Sequence, residues 1–121
     1  MTDDKTTIHE LKEGVISFIK EREWDQFTTS KNLALSISLE AAELLEHYQW
    51  TDMHKDKSEI EKELADVLIY CLQFAHKNDI DISTAIQTKM ILNGKKYPAK
   101  VKELDEYMKI KKDYRGKDSS D

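Results

Sequence analysis

LADVLIYCLQFA, residues 64–75, places a carboxylate inside a greasy run, and the reading of this stretch decides the fold. Asp66 and Gln73 are its only clearly polar residues, with the amphipathic Tyr70 between them. The run shows no strand-like alternation and falls well short of the roughly 20 apolar residues a membrane helix needs. It reads as the middle of a helix that is apolar almost all round, and such a helix must be buried on every side. Asp is a poor helix former, so Asp66 calls for a reason other than propensity.

Working outward, Ser58 and Glu61 stand three apart just upstream, the pattern of a capping box that starts this helix. It runs to about His76. Asn78 to Asp81 form a turn whose last residue can cap a fourth helix, with Asn93-Gly94 as its stop. Ile8, Leu11, Val15, Phe18 and Ile19 recur at three- and four-residue spacing, so a first amphipathic helix reaches about Trp24. Residues 28–32, TTSKN, are a polar hinge, and a second helix follows to about Tyr48. One stripe of that helix holds Leu33, Ile37, Leu44 and Tyr48, and the opposite side holds Leu35, Leu39 and Ala42. Beyond KKYP the chain becomes highly charged; its first half can be helical and its last six or so residues are expected to fray.

With only 3 Gly and 1 Pro in 121 residues, the chain is expected to be all-α, a four-helix bundle in one domain. Two helices that are apolar on both sides are more than so small a domain can enclose, which points to a homo-oligomer. A net charge of −5 gives no overall case for a nucleic-acid polymer as partner. The single Cys71 cannot form an internal disulfide, the N-terminus has no signal-peptide pattern, and no membrane span is present. A cytoplasmic protein is the expectation.

Glu63, Asp66 and Tyr70 share one stripe of the third helix, because residues three and seven apart face the same way. Glu40, Glu43 and His47 do the same on the second helix. Two such pairs on consecutive antiparallel helices can meet, and four carboxylates at close quarters need cations or basic partners. Lys62 points away from the stripe, and hard oxygen ligands in that number suit Mg²⁺ or Mn²⁺. Any one Glu alone would be an ordinary solvated helix residue; the set, with Asp66 in it, favours a metal site. A di-iron site, whose signature is Glu-x-x-His, is disfavoured because no His here has a Glu three residues before it. Metal-assisted hydrolysis of a phosphoanhydride fits better, with Asn93, Lys95, Lys96 and Tyr97 as phosphate donors and Trp24 and Trp50 as stacking surfaces.

The segments REWDQFTTSKNLALSISLEAAELLEHYQW, KELADVLIYCLQFA and KMILNGKKYP together resemble the MazG-like all-α nucleoside triphosphate pyrophosphohydrolases, in the compact branch near the dCTP pyrophosphatases. The likeness covers about residues 8–98, with 99–121 as a charged C-terminal segment of one single domain. It implies Mg²⁺-dependent cleavage of a nucleoside triphosphate to monophosphate and pyrophosphate, a house-cleaning task, with Mn²⁺ as the alternative ion. It further implies subunits intertwined in a dimer or a tetramer of paired dimers. Carried over residue by residue, Glu40, Glu43, Glu63 and Asp66 become metal ligands, and Tyr70 lies near them. Asn93, Lys96 and Tyr97 hold phosphate or sugar oxygens, Lys31 and Asn32 reach phosphate, and Trp24 and Trp50 wall the base pocket. Val15, where dCTP-preferring relatives tend to carry His, and FTTSKN, where they often read F-H-x-P-R-N, leave base preference open. The rival readings are a non-catalytic helical oligomerisation module and a related phosphohydrolase with a different nucleotide substrate.

Overall fold

The computed structural model describes residues 1–53, 56–99 and 104–118, the last three as backbone only. Among these residues the structure is helical with no strand. The chain divides into two compact units, Met1–Asp81 and Ile82–Asp121. No described helix is long and apolar enough to cross a membrane.

The first unit contains α1 (Ile8–Glu21), a 3-10 turn (Trp24–Phe27), α2 (Ser30–Glu46) and α3 (Lys57–Lys77). Thr7 opens α1 with a full capping box: its hydroxyl accepts from the Glu10 backbone while Glu10 reaches back to the Thr7 N–H. The expected extension of α1 to Trp24 does not occur. Arg22 closes the helix, Glu23 adopts a left-handed φ of 55°, and Trp24 begins the separate 3-10 turn. Thr29, within the expected hinge, caps α2 by accepting from the Asn32 N–H at 3.0 Å.

The expected Ser58–Glu61 capping box is also replaced. Asp56 is the cap of α3, and its carboxylate accepts from both the backbone N–H and the hydroxyl of Ser58 at 2.9 Å. A charged acceptor at the positive end of a helix outcompetes a neutral hydroxyl. These same bonds hold the Asp56 carboxyl below its ordinary range. His54 and Lys55, in the expected hydrophilic loop, lie outside the described residues.

At its far end α3 closes with a Schellman turn. Asp79 takes a φ of 52°, Asp79 N–H donates to His76 O, and Ile80 N–H donates to Ala75 O at 2.8 Å. Helices α2 and α3 run antiparallel: the Ser30 hydroxyl donates to Asn78 Oδ1 at 3.2 Å at one end, and His47 meets Glu63 at the other. Helix α1 lies against α3, where the Lys12 ammonium donates to the Ile80 carbonyl at 3.0 Å.

The buried apolar side chains are Ile16 and Ile19 of α1, Leu33 of α2, and Leu72 and Ala75 of α3. Among the described residues every other large apolar group is at least partly exposed. Leu35 and Leu39 on α2 are 53% and 65% exposed, and Leu64 and Leu68 on α3 are 47% and 53% exposed. The all-round burial expected of the run at 64–75 therefore does not arise within the first unit.

The second unit contains α4 (Ile82–Lys96) and α5 (Leu104–Asp118). Helix α4 starts directly after Asp81, at the expected place, but passes through Gly94 instead of stopping there. No described glycine has a positive φ, so Gly94 supplies no left-handed cap. Lys95 and Lys96 favour the negative end of the helix dipole, and Pro98 ends the helix by disfavouring helical backbone at Tyr97. Helix α5 continues to Asp118, so 116–118, expected to fray, are helical. The remainder of that frayed end lies outside the described residues.

Candidate metal centre and adjoining cavity

The antiparallel α2–α3 pair brings the two carboxylate stripes together. One oxygen each from Glu40, Glu43 and Glu63 can lie within 4.8 Å of one another. Glu40 and Glu63 are half-buried and Glu43 is exposed. Asp66 lies outside this tight set, yet its charge acts on Glu40. Its side chain is solvent-exposed, against the sequence expectation of a carboxylate embedded in grease, because the leucines around it are themselves uncovered.

Burial pushes the Glu40 carboxyl above its ordinary range. A hydrogen bond to Glu43 that requires a shared proton raises it further, as do the negative charges of Glu43, Asp66 and Glu63. Glu40 Oε2 is buried and has no hydrogen-bond partner. Between two ionised carboxylates there is no donor, so either a proton or a cation must satisfy that oxygen. A buried orphaned oxygen on a residue of a converging acidic group fits the hard, oxygen-only donor set of a divalent cation. His47 caps the C-terminus of α2, with Nε2 3.5 Å from Glu63 Oε1, so it links the Glu63 side chain of α3 to the end of α2.

Asp66 and Tyr70 also line a cavity of about 800 Å³ in the first unit. Its other walls are largely apolar and come from α1 and the 3-10 turn, with Val15, Phe18, Trp24 and Phe27 prominent. Trp24 stands edge-on to Phe18, ring centroids 5.7 Å apart, and the Arg22 guanidinium stacks on the Phe18 ring at 3.6 Å. Trp50 is not among the lining residues; it stands just beyond α2 and is 89% exposed. Lys31 and Asn32 are exposed on the first turn of α2.

Sequence reasoning missed Thr28, Phe27 and Gln73 as lining residues. A signal for Gln73 was available: Asp66, Tyr70 and Gln73 stand at i, i+4 and i+7 and share a face.

Asn93, Lys96 and Tyr97 belong to the second unit and cluster there. The Tyr97 N–H donates to Asn93 O at 2.8 Å, and the Lys96 ammonium lies 5.5 Å from the centre of the Tyr97 ring.

Comparison with known proteins adds an independent line. The model of the MazG-like family matches residues 35–115. The chain is 33% identical over 102 residues to human (Homo sapiens) dCTP pyrophosphatase 1, covering 77% of this chain and 60% of that protein. Against dCTP pyrophosphatase 1 of Rattus norvegicus the identity is 32% over 101 residues, covering 76% of this chain and 59% of that protein. The chain thus spans about 60% of the length of these curated relatives. A crystal structure of a pyrophosphatase from Archaeoglobus fulgidus is similar with a TM-score of 0.72 at 39% identity, over 81% of this chain and 98% of that one.

Proposed function

Because this chain belongs to the MazG-like family, we propose that it is a Mg²⁺-dependent nucleoside triphosphate pyrophosphohydrolase, releasing a nucleoside monophosphate and pyrophosphate to cleanse the nucleotide pool. The observation that carries this reading is the convergence of Glu40, Glu43 and Glu63, one of which, Glu40, has a buried oxygen with no hydrogen-bond partner. The human and rat relatives are named for dCTP pyrophosphatase activity and the archaeal structure for a pyrophosphatase, which supports the same chemistry.

In this reading Glu40, Glu43, Glu63 and Asp66 hold the cation. The bound cation supplies neutralisation of phosphate charge and polarisation of the phosphoanhydride. Glu43, the exposed member of the tight set, accepts the proton of the attacking water. The water oxygen bonds to phosphorus as the bond to the bridging oxygen breaks, and pyrophosphate leaves. The cavity walled by Trp24 receives the nucleobase, with Tyr70 and Asp66 at the end shared with the carboxylates. Trp50 adds a stacking surface, while Lys31, Asn32, Asn93, Lys96 and Tyr97 bind phosphate or sugar oxygens. Cys71, whose thiol is pushed up by burial, suits a reducing cytoplasmic compartment.

A panel of canonical, methylated and deaminated triphosphates with Mg²⁺, its products resolved by chromatography, tests the activity. Monophosphate plus pyrophosphate is the expected outcome. Diphosphate plus phosphate would redirect the reading to the other phosphoanhydride bond. Inactivity of the pure protein across the whole panel would overturn it.

We infer further that the chain works as a homodimer or as a tetramer of paired dimers. The uncovered leucines of α2 and α3 support this, because contiguous apolar surface on a monomer invites association. Sedimentation should give at least twice the chain mass, and Leu39→Glu should shift the species toward one chain. A wild-type protein that sediments as a single chain at tens of micromolar refutes the inference.

A further inference from the structure

The aromatic wall of the cavity in the first unit is held by a residue that does not line it. Phe18 and Trp24 are each 48% exposed, so packing within that unit does not by itself fix their rings. Arg22 is not among the lining residues, yet it meets both rings. Its guanidinium lies 3.6 Å from the centre of the Phe18 ring and 5.9 Å from that of Trp24.

The way α1 ends puts the guanidinium there. In an uninterrupted helix the N–H of the residue four further on would donate to the Phe18 carbonyl. Here the Arg22 N–H turns to Ile19 O at 3.2 Å, and the side chain supplies the missing donor, Nη1 donating to Phe18 O at 2.9 Å. A cation on a terminal carbonyl also suits the negative end of the helix dipole. One guanidinium thus holds both the carbonyl and the ring of Phe18. Its contact with Glu21 Oε2, 3.5 Å away between exposed side chains, adds little. Glu23, with its left-handed φ, is the single residue between Arg22 and Trp24, whose ring meets Phe18 edge-on at 5.7 Å.

We propose that Arg22 is a positioning residue for the nucleobase: by fixing Phe18, and through it Trp24, it presets the wall against which a flat ring stacks. The proposal rests on the reading that the cavity receives the base. A guanidinium can lie flat on a ring while donating from its rim, whereas an ammonium is a point charge and cannot do both at once. Half-exposed rings that became ordered only on arrival of the base would cost affinity at that moment. Rings held beforehand spare that cost, so the effect belongs in KM and not in the chemical step.

The test compares Arg22→Lys, which keeps a cation and a donor at the helix end but lacks the flat face, with Arg22→Leu, which lacks all three. Arg22→Lys should raise KM for the triphosphate about 2- to 5-fold, the loss expected for an exposed cation–π contact, with kcat within about twofold. Arg22→Leu should raise KM at least as much. Inhibition by inorganic pyrophosphate, which has no base, should keep its wild-type constant in both variants. A second readout uses protein carrying 5-fluorotryptophan, with the Trp24 signal assigned by its loss in Trp24→Phe. That ¹⁹F signal should move toward the position of free 5-fluorotryptophan in Arg22→Lys and in Arg22→Leu.

An unchanged KM in Arg22→Lys would overturn the proposal, because a rise confined to Arg22→Leu reduces Arg22 to a helix cap. So would a pyrophosphate inhibition constant that rises in step with KM, which would assign the loss to a general loosening of the site. Should the wild type hydrolyse no triphosphate, the proposed function falls on that result alone. The Trp24 signal then still decides whether Arg22 holds the wall, and a signal unmoved in Arg22→Lys would overturn that role.

Discussion

Asp66→Asn is expected to reduce triphosphate hydrolysis by about 10²- to 10³-fold, the loss typical of removing one charge-stabilising group from a reaction centre. The substitution preserves shape, and the Asp66 side chain is exposed, so the helical content and the melting cooperativity should match those of wild type. The loss should fall mainly on kcat, since Asp66 lies where the cavity meets the carboxylates and most of the cavity wall comes from α1 and the 3-10 turn. One secondary effect follows from electrostatics. The charge of Asp66 helps raise the Glu40 carboxyl, so its removal should let that carboxyl relax toward its ordinary range. Steady-state kinetics with Mg²⁺ at saturation checks the main effect. Full activity in Asp66→Asn would remove Asp66 from the site.

The second large effect concerns Glu40, where activity and stability should move in opposite directions. Glu40→Gln should cost at least about a hundredfold in turnover. Without divalent cation it should nevertheless melt about 2–5 °C above wild type near neutral pH. Burial and three neighbouring carboxylates raise the Glu40 pKa in the folded chain above the unfolded value of 4.5. The folded state then binds that proton more tightly than the unfolded state does. The stabilisation is complete below pH 4.5 and is lost as pH rises through the elevated folded value. Ionising Glu40, or holding its proton above the ordinary range, costs the folded chain stability as pH rises, and the neutral carboxamide removes that cost while offering a donor to Glu43.

A divalent cation reverses the order. Ligand at a hundred times its Kd stabilises the folded state by about 2.7 kcal/mol. Wild type should gain most of this and Glu40→Gln little of it. The curves of melting temperature against Mg²⁺ for the two proteins should therefore cross. Curves that stay parallel, with wild type on top throughout, would deny the cluster its role as a cation site.

Much of the fold was legible because spacing alone specifies helical faces. Glu40, Glu43 and Glu63 came together from stripes on two helices as their periodicity required, with Asp66 outside the tight set, and Thr29 capped α2 within the hinge read from TTSKN. The misreadings have local causes. A charged acceptor two residues before Ser58 displaced the expected capping box, and the Thr7–Glu10 box went unrecognised ahead of a clear amphipathic run. Gly94 looked like a stop, yet Pro98 further along set the end of α4. Asp66 was expected in grease because a continuous apolar run implies burial without saying what provides it. Within one chain much of that cover is missing, and the carboxylate meets water. The cavity was the least legible part, since Phe27, Thr28 and Gln73 come together only when the 3-10 turn folds beside α3.

The division of labour between the cavity walls and the carboxylates bears on how such a chain can change over time. The acidic cluster stands on α2 and α3, whereas most of the cavity lining comes from α1 and the 3-10 turn. Only the Asp66–Tyr70 stretch serves both. Substitutions along α1 and residues 24–28 can therefore reshape what the cavity admits while leaving the acidic cluster untouched. The departures from the dCTP-preferring pattern at Val15 and from Phe27 onward begin in that wall. Under the proposed function, a lineage built on this plan would diversify its substrates by drift in one wall, and a designer would mutate the same wall as a library while leaving the acidic cluster unchanged.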